Sequence, residues 1–286
     1  MLKIPNKWYF LFYFFLIFLA EIITVFANPS IGIILHAIIL CLLFIHSSII
    51  SKKKMSDNRL QWLFIKRNKN PSKLLQFFIG EKQKVSSFLL ALTLIPMIRI
   101  LSLVMPLPFF SRIQWFLVIA IPIYIACLVY IFQQKIDIRR YGLKLPDVKH
   151  VPIELGIIFL AVPFGYLEYS ILQPDLMIGS LSFSSILFAV LIILIATGLM
   201  EEIIFRGILQ NKSIDIIGPW YGILFVSLLF AILHIGNLSI LDVILVFMIG
   251  FIYAIVVKTT KSIIGVSISH TVVNVFLFIV FPLSFA

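Results

Sequence analysis

The chain has 286 residues, 62% hydrophobic and only 12% charged, with a net charge of +11. An ordinary soluble domain is about 25% charged, so a water-soluble globule is excluded and a polytopic membrane protein is indicated. The positive charge reads as membrane topology and excludes nucleic acid as a partner, because the Lys and Arg residues collect in alternate loops.

A hydrocarbon core of about 30 Å needs about 20 apolar residues per helix. The sequence predicts spans near 8–27, 31–50, 85–105, 115–133, 152–173, 184–212, 219–236, 240–257 and 262–282. The expected fold is an all-α transmembrane bundle of about nine spans, or eight if the fifth, interrupted by Pro163 and Glu168, is not counted. With the N-terminus cytoplasmic, 21 of the 23 Lys and Arg fall on the inner side or inner helix ends. Those inner positions are Lys3 and Lys7, residues 52–84, residues 135–149, Arg206 with Lys212, and Lys258 with Lys261. Loops around Asn28, Asp175 and Asn237 hold none; Arg112 breaks the pattern, and Arg99 lies inside the third span. The expectation is an integral, multi-pass protein of the plasma membrane.

Lys3 and Lys7 precede an apolar run ending in Val25-Phe26-Ala27, which imitates a cleavable leader. The run is long enough to span and contains Glu21, so it reads as a first span. Cys41 and Cys127 both fall within spans and indicate no disulfide framework. Within the basic segment 52–84, Leu60, Trp62, Leu63, Phe64 and Ile65, and later Leu74, Leu75, Phe77 and Phe78, suggest interfacial stretches lying on the lipid surface. The second basic segment, 135–150, divides an N-terminal membrane region (1–150, about four spans) from a C-terminal core (151–286, about five spans).

Chemistry concentrates in the C-terminal core. Ionisable groups inside a span are expensive and face a partner, a wetted cavity or a reaction. On a helix, i and i+4 share a face while neighbours diverge, so Glu202 and Arg206 can pair while Glu201 has no local partner. An unpaired buried carboxylate has the character of a catalytic base. Phe230 with His234, and His270 with Asn274, repeat the i, i+4 spacing on two later spans. At about 1.5 Å per residue, Glu201, His234, His270 and Asn274 fall within about 10 Å of one depth. His36 and His46 read as hydrogen-bonded packing residues. Arg99 is expected to pair with Glu21 or Glu168, and Asp242 to sit at the outer interface.

The ordered trio Glu201-Glu202-x-x-x-Arg206, Phe230-x-x-x-His234 and His270-x-x-x-Asn274 resembles the signature motifs of the CPBP family. These are the CAAX prenyl proteases of the Rce1 type and the bacteriocin-processing, or Abi, enzymes. The resemblance covers roughly residues 184–282. It implies intramembrane endopeptidase activity on a membrane-associated or lipidated peptide or protein. Glu201 would be the general base, helped by His234. His270 and Asn274 would position or stabilise the oxyanion, and Glu202, with Arg206 and Phe230 in support, would complete the site. No metal is favoured, since His-Glu-x-x-His is absent; the alternative is a zinc shell of Glu201, His234 and His270. The expected partners are lipids and a substrate with a membrane-associated segment, and the cavity is expected to open toward the basic, cytoplasmic side. A non-catalytic scaffold or immunity protein of the same family, and a secondary transporter, are the rival readings.

Overall fold

A computed structural model describes residues 8–52, 71–105, 107–135 and 137–285. Lys3, Lys7 and the expected interfacial stretch at 60–65 lie outside the described residues, as do the side chains of Leu74, Leu75, Phe77 and Phe78. The described elements are helices joined by short turns, and nine of those helices are long and apolar enough to cross a membrane. They run Tyr9–Phe26, Pro29–Ser51, Gly80–Val104, Arg112–Gln134, Val148–Leu172, Phe183–Ile217, Pro219–Asn237, Ile240–Thr260 and Ile264–Ser284. The chain is thus an integral, multi-pass membrane protein. Helices suit these runs because lipid offers no hydrogen bonds to an open backbone.

The breaks between spans are chemical. Gly218, at φ +86, turns the sixth span into the seventh, and Pro219 opens the seventh where a missing N–H costs nothing. Pro163, the residue that made the fifth span questionable, lies within an unbroken helix.

Small residues and buried polar pairs join the spans. A Cβ on Gly165 of the fifth span would stand 3.0 Å from Val273 O of the ninth, so these backbones approach as only glycine permits. Gly198 of the sixth span lies closer still to the ninth: a Cβ there would meet Ser267 O at 2.7 Å and overlap Thr271 Oγ1. The N-terminal spans dock on the seventh through Phe10, Phe14 and Phe88, whose rings lie 5.7–5.9 Å from that of Phe225. Glu21, fully buried on the first span, takes Arg99 at 2.7 Å and has His36 at 3.4 Å. Of the two acids expected for Arg99, the structure therefore selects Glu21. His46 is hydrogen-bonded to the Tyr13 hydroxyl at 3.0 Å.

The basic loop after the fourth span packs back on the bundle. Gly142, at φ +82, accepts the Ile263 N–H at 3.0 Å, and a Cβ there would stand 2.8 Å from the Ile263 side chain. The neighbouring Tyr141 is buried beside Gly207, and burial pushes its phenol up to about 12. This docking covers the basic end of the sixth and ninth spans.

Candidate active site

The sixth span is one helix with two widened turns. π-helical turns at Leu194–Leu199 and Ile203–Leu209 flank a short α-helical piece, Met200–Glu202. Each π turn inserts a residue into the ladder, a device frequent at functional sites. Hydroxyls cover the carbonyls around the first: Thr197 donates to Ile193 O at 2.7 Å, and Tyr124 of the fourth span donates to Ile195 O at 2.6 Å.

The two glutamates between these turns have different surroundings. Glu202 is fully buried, and its Oε1 accepts from Arg206 Nη1 at 2.8 Å and from His270 Nδ1 at 2.9 Å. Arg206 also donates to Gly250 O at 3.2 Å and lies over the Phe230 ring at 4.5 Å and the Tyr253 ring at 5.5 Å. Gly250 makes this possible, because a Cβ there would stand 3.0 Å from the guanidinium. Glu201, by contrast, has a side chain 24% exposed and, among the described residues, only His270 Nε2 within ion-pair reach, at 3.8 Å.

The imidazoles are held by their inner nitrogens. His234 Nδ1 lies 2.9 Å from Phe230 O, which can only accept, so Nδ1 carries a proton there and the neutral form of the ring leaves Nε2 as an acceptor. His270 likewise donates from Nδ1 to Glu202 and turns Nε2 toward Glu201. Asn274 donates from its amide to Thr197 Oγ1 at 3.0 Å. That bond fixes the amide nitrogen and keeps its second N–H available.

Glu201, Phe230, His234, His270 and Asn274 border one cavity of about 360 Å³. Glu202 and Arg206 do not line it and reach it through His270. A second cavity, of about 280 Å³, shares Glu201, Phe230 and His234 with the first and extends to Arg99, whose Nη2 donates to Leu233 O at 2.8 Å. Glu201 and His234 therefore stand where two cavities meet.

The larger cavity is lined by Leu172, Pro174 and Asn237, which belong to span ends opposite the Lys and Arg clusters, and by Tyr253 and His270 within the eighth and ninth spans; none of the described basic-loop residues lines it. Asp242, at the start of the eighth span, is fully buried within the protein and accepts the Asn237 amide at 2.9 Å.

Two residues of the site, Thr197 and Tyr253, went unnoticed in the sequence, and a third, Glu168, was noticed without being placed there. Thr197 lies four residues before Glu201, a spacing that could have pointed to it. Glu168, already conspicuous as an acid within a span, borders the larger cavity, as does Tyr253. Among the described residues, no three His, Cys, Asp or Glu side chains are grouped so that they could hold a metal ion, the set Glu201, His234 and His270 included.

The fold and site together define a class: a multi-span helical protein with a carboxylate and two imidazoles around a cavity inside the bundle. Residues 183–276, about a third of the chain, match the family described as type II CAAX prenyl endopeptidase Rce1-like. The matched region spans all three motifs and agrees with the family resemblance drawn from them. No curated protein and no solved structure matches the chain.

Proposed function

We propose that the protein is an intramembrane endopeptidase that hydrolyses a peptide bond in a membrane-associated or lipidated peptide or protein, acting in the plasma membrane. The observation that carries this reading is the division of labour between adjacent acids. Glu202 is consumed by Arg206 and His270, whereas Glu201 reaches the cavity with no committed cation.

In this reading Glu201 takes a proton from a water in the cavity, with the bare Nε2 of His234 as the second acceptor for that water. The hydroxide attacks the scissile carbonyl, and the proton passes on to the departing amine nitrogen. The free amide N–H of Asn274 faces the developing oxyanion, and His270, with Nδ1–H held by Glu202, adds a second donor when Nε2 also carries a proton, the arrangement that lowers such barriers most. Glu202 and Arg206 hold His270 in register and touch no reacting atom. No step passes through a metal.

The test compares membrane-associated peptides from cells carrying wild type and Glu201→Gln, with folding of the variant verified on purified protein. Loss of a positioned general base costs about 10²- to 10⁴-fold in rate, so processed peptides should disappear and their precursors accumulate. An unchanged peptide profile with the cellular phenotype retained would replace the protease by the scaffold reading.

A further inference from the structure

Outside the matched region, on the fifth span, Glu168 borders the same cavity as Glu201. Its residue is 7% exposed, and among the described residues no hydrogen bond or ion pair holds its carboxylate. The charged or titratable groups acting on it are Asp242, His270 and Glu201. Two of these are acids, and the imidazole is already tied to Glu202. The cation of this region, Arg206, is committed to Glu202 and shielded by aromatic rings. Glu168 and Glu201 thus border one cavity without a dedicated counter-charge, an arrangement that either keeps a proton on a carboxyl or takes up a cation from elsewhere.

We propose that Glu168 is a specificity-determining residue that receives a Lys or Arg side chain of the substrate, on the side of the scissile bond nearer the outer mouth of the cavity. This rests on the protease reading and adds the substrate class. Glu168 lies four residues, about one helical turn, before Leu172, which with Pro174 borders the cavity at the end of the fifth span, while Glu201 stands beside His270 on the sixth. A basic side chain entering from the mouth meets Glu168 before the peptide carbonyl reaches Glu201. A buried carboxyl with no counter-charge keeps its proton, and it ionises when a cationic side chain arrives; Lys or Arg therefore gains an ion pair that an apolar side chain cannot make, and an acidic side chain is repelled.

The test measures binding apart from cleavage. Full-length Glu201→Gln protein, in maltoside micelles with phosphatidylglycerol so that no lipid amine competes, is titrated with fluorescent acylated peptides. The peptides come from a scanning library and carry Lys, Arg, norleucine or Glu at each position in turn. Lys or Arg at one position should bind about tenfold or more tightly than norleucine, and Glu more weakly than norleucine. Adding Glu168→Gln should bring the Lys-to-norleucine ratio to near one. Equal binding of the Lys and norleucine peptides at every position, or a preference that survives Glu168→Gln, overturns the proposal. The wild-type enzyme assayed on the same peptides reports cleavage separately, so a failed protease reading is distinguishable from a failed role for Glu168.

Discussion

Replacing Arg206 with Met removes the one full charge that balances Glu202 while keeping much of the side-chain volume. Both members of the pair are almost wholly buried, at 1% and 0% side-chain exposure. After the substitution, Oε1 of Glu202 keeps only the His270 N–H, and Oε2 has no hydrogen-bond partner to begin with. An uncompensated buried charge costs about 3–5 kcal/mol, which also absorbs the loss of the cation–π contacts to Phe230 and Tyr253. Graded SDS unfolding of purified protein, followed by far-UV helicity and tryptophan fluorescence, should show an unfolding constant raised by about two to three and a half decades. The double variant Glu202→Gln/Arg206→Met leaves no orphaned charge and should be more stable than the sum of the two single effects by about 2–3 kcal/mol. A loss below about 1 kcal/mol for Arg206→Met would refute the reasoning, because it is the size expected for a solvent-screened pair.

Gly198→Ala should destabilise by about 1–3 kcal/mol in the same assay, since the added methyl enters the Thr271 hydroxyl and the Ser267 carbonyl; an unchanged midpoint would mean that the sixth and ninth spans do not approach this closely. Arg99→Leu strands Glu21 and should cost about 3–5 kcal/mol, while Arg99→Lys should recover part of that loss, the charge being kept without the forked geometry. For the metal question, purified protein should carry no stoichiometric zinc and keep its cleavage rate in a chelator; zinc lost in parallel with activity would replace the proposed mechanism by a metal-assisted one.

The span pattern was legible because lipid imposes a simple rule: a stretch of about 20 apolar residues must close its own hydrogen bonds. The Glu202–Arg206 pair followed from i, i+4 geometry, and the structure keeps it at 2.8 Å although a π turn begins at Ile203. That Arg99 needed an acid was also readable, since a cation at that depth is costly; that the acid is Glu21 depends on packing between the first and third spans. The π turns left no mark in composition, because Ile195 to Thr197 and Ile203 to Phe205 read like any apolar helix. At the first of them a cross-span hydroxyl, that of Tyr124, caps the Ile195 carbonyl, a contact that only the folded bundle supplies. That Asp242 turns inward to Asn237 was not legible, because being near a helix start says nothing about which way a side chain points.

The sixth helix, from Phe183 to Ile217, is 35 residues long, about 50 Å at about 1.5 Å per residue. Even inclined by about 40°, the upper end of the usual range, it would reach about 40 Å along the membrane normal, against about 30 Å of hydrocarbon. The bilayer around it must therefore thicken, or the rod must stand proud among phosphates and glycerol esters. Asp215, partly exposed near its terminus and 3.6 Å from Arg140, is suited to that zone. Such a mismatch ties the helix to lipids of particular chain length, so acyl-chain composition becomes a natural variable for tuning the inclination of the segment that carries Glu201.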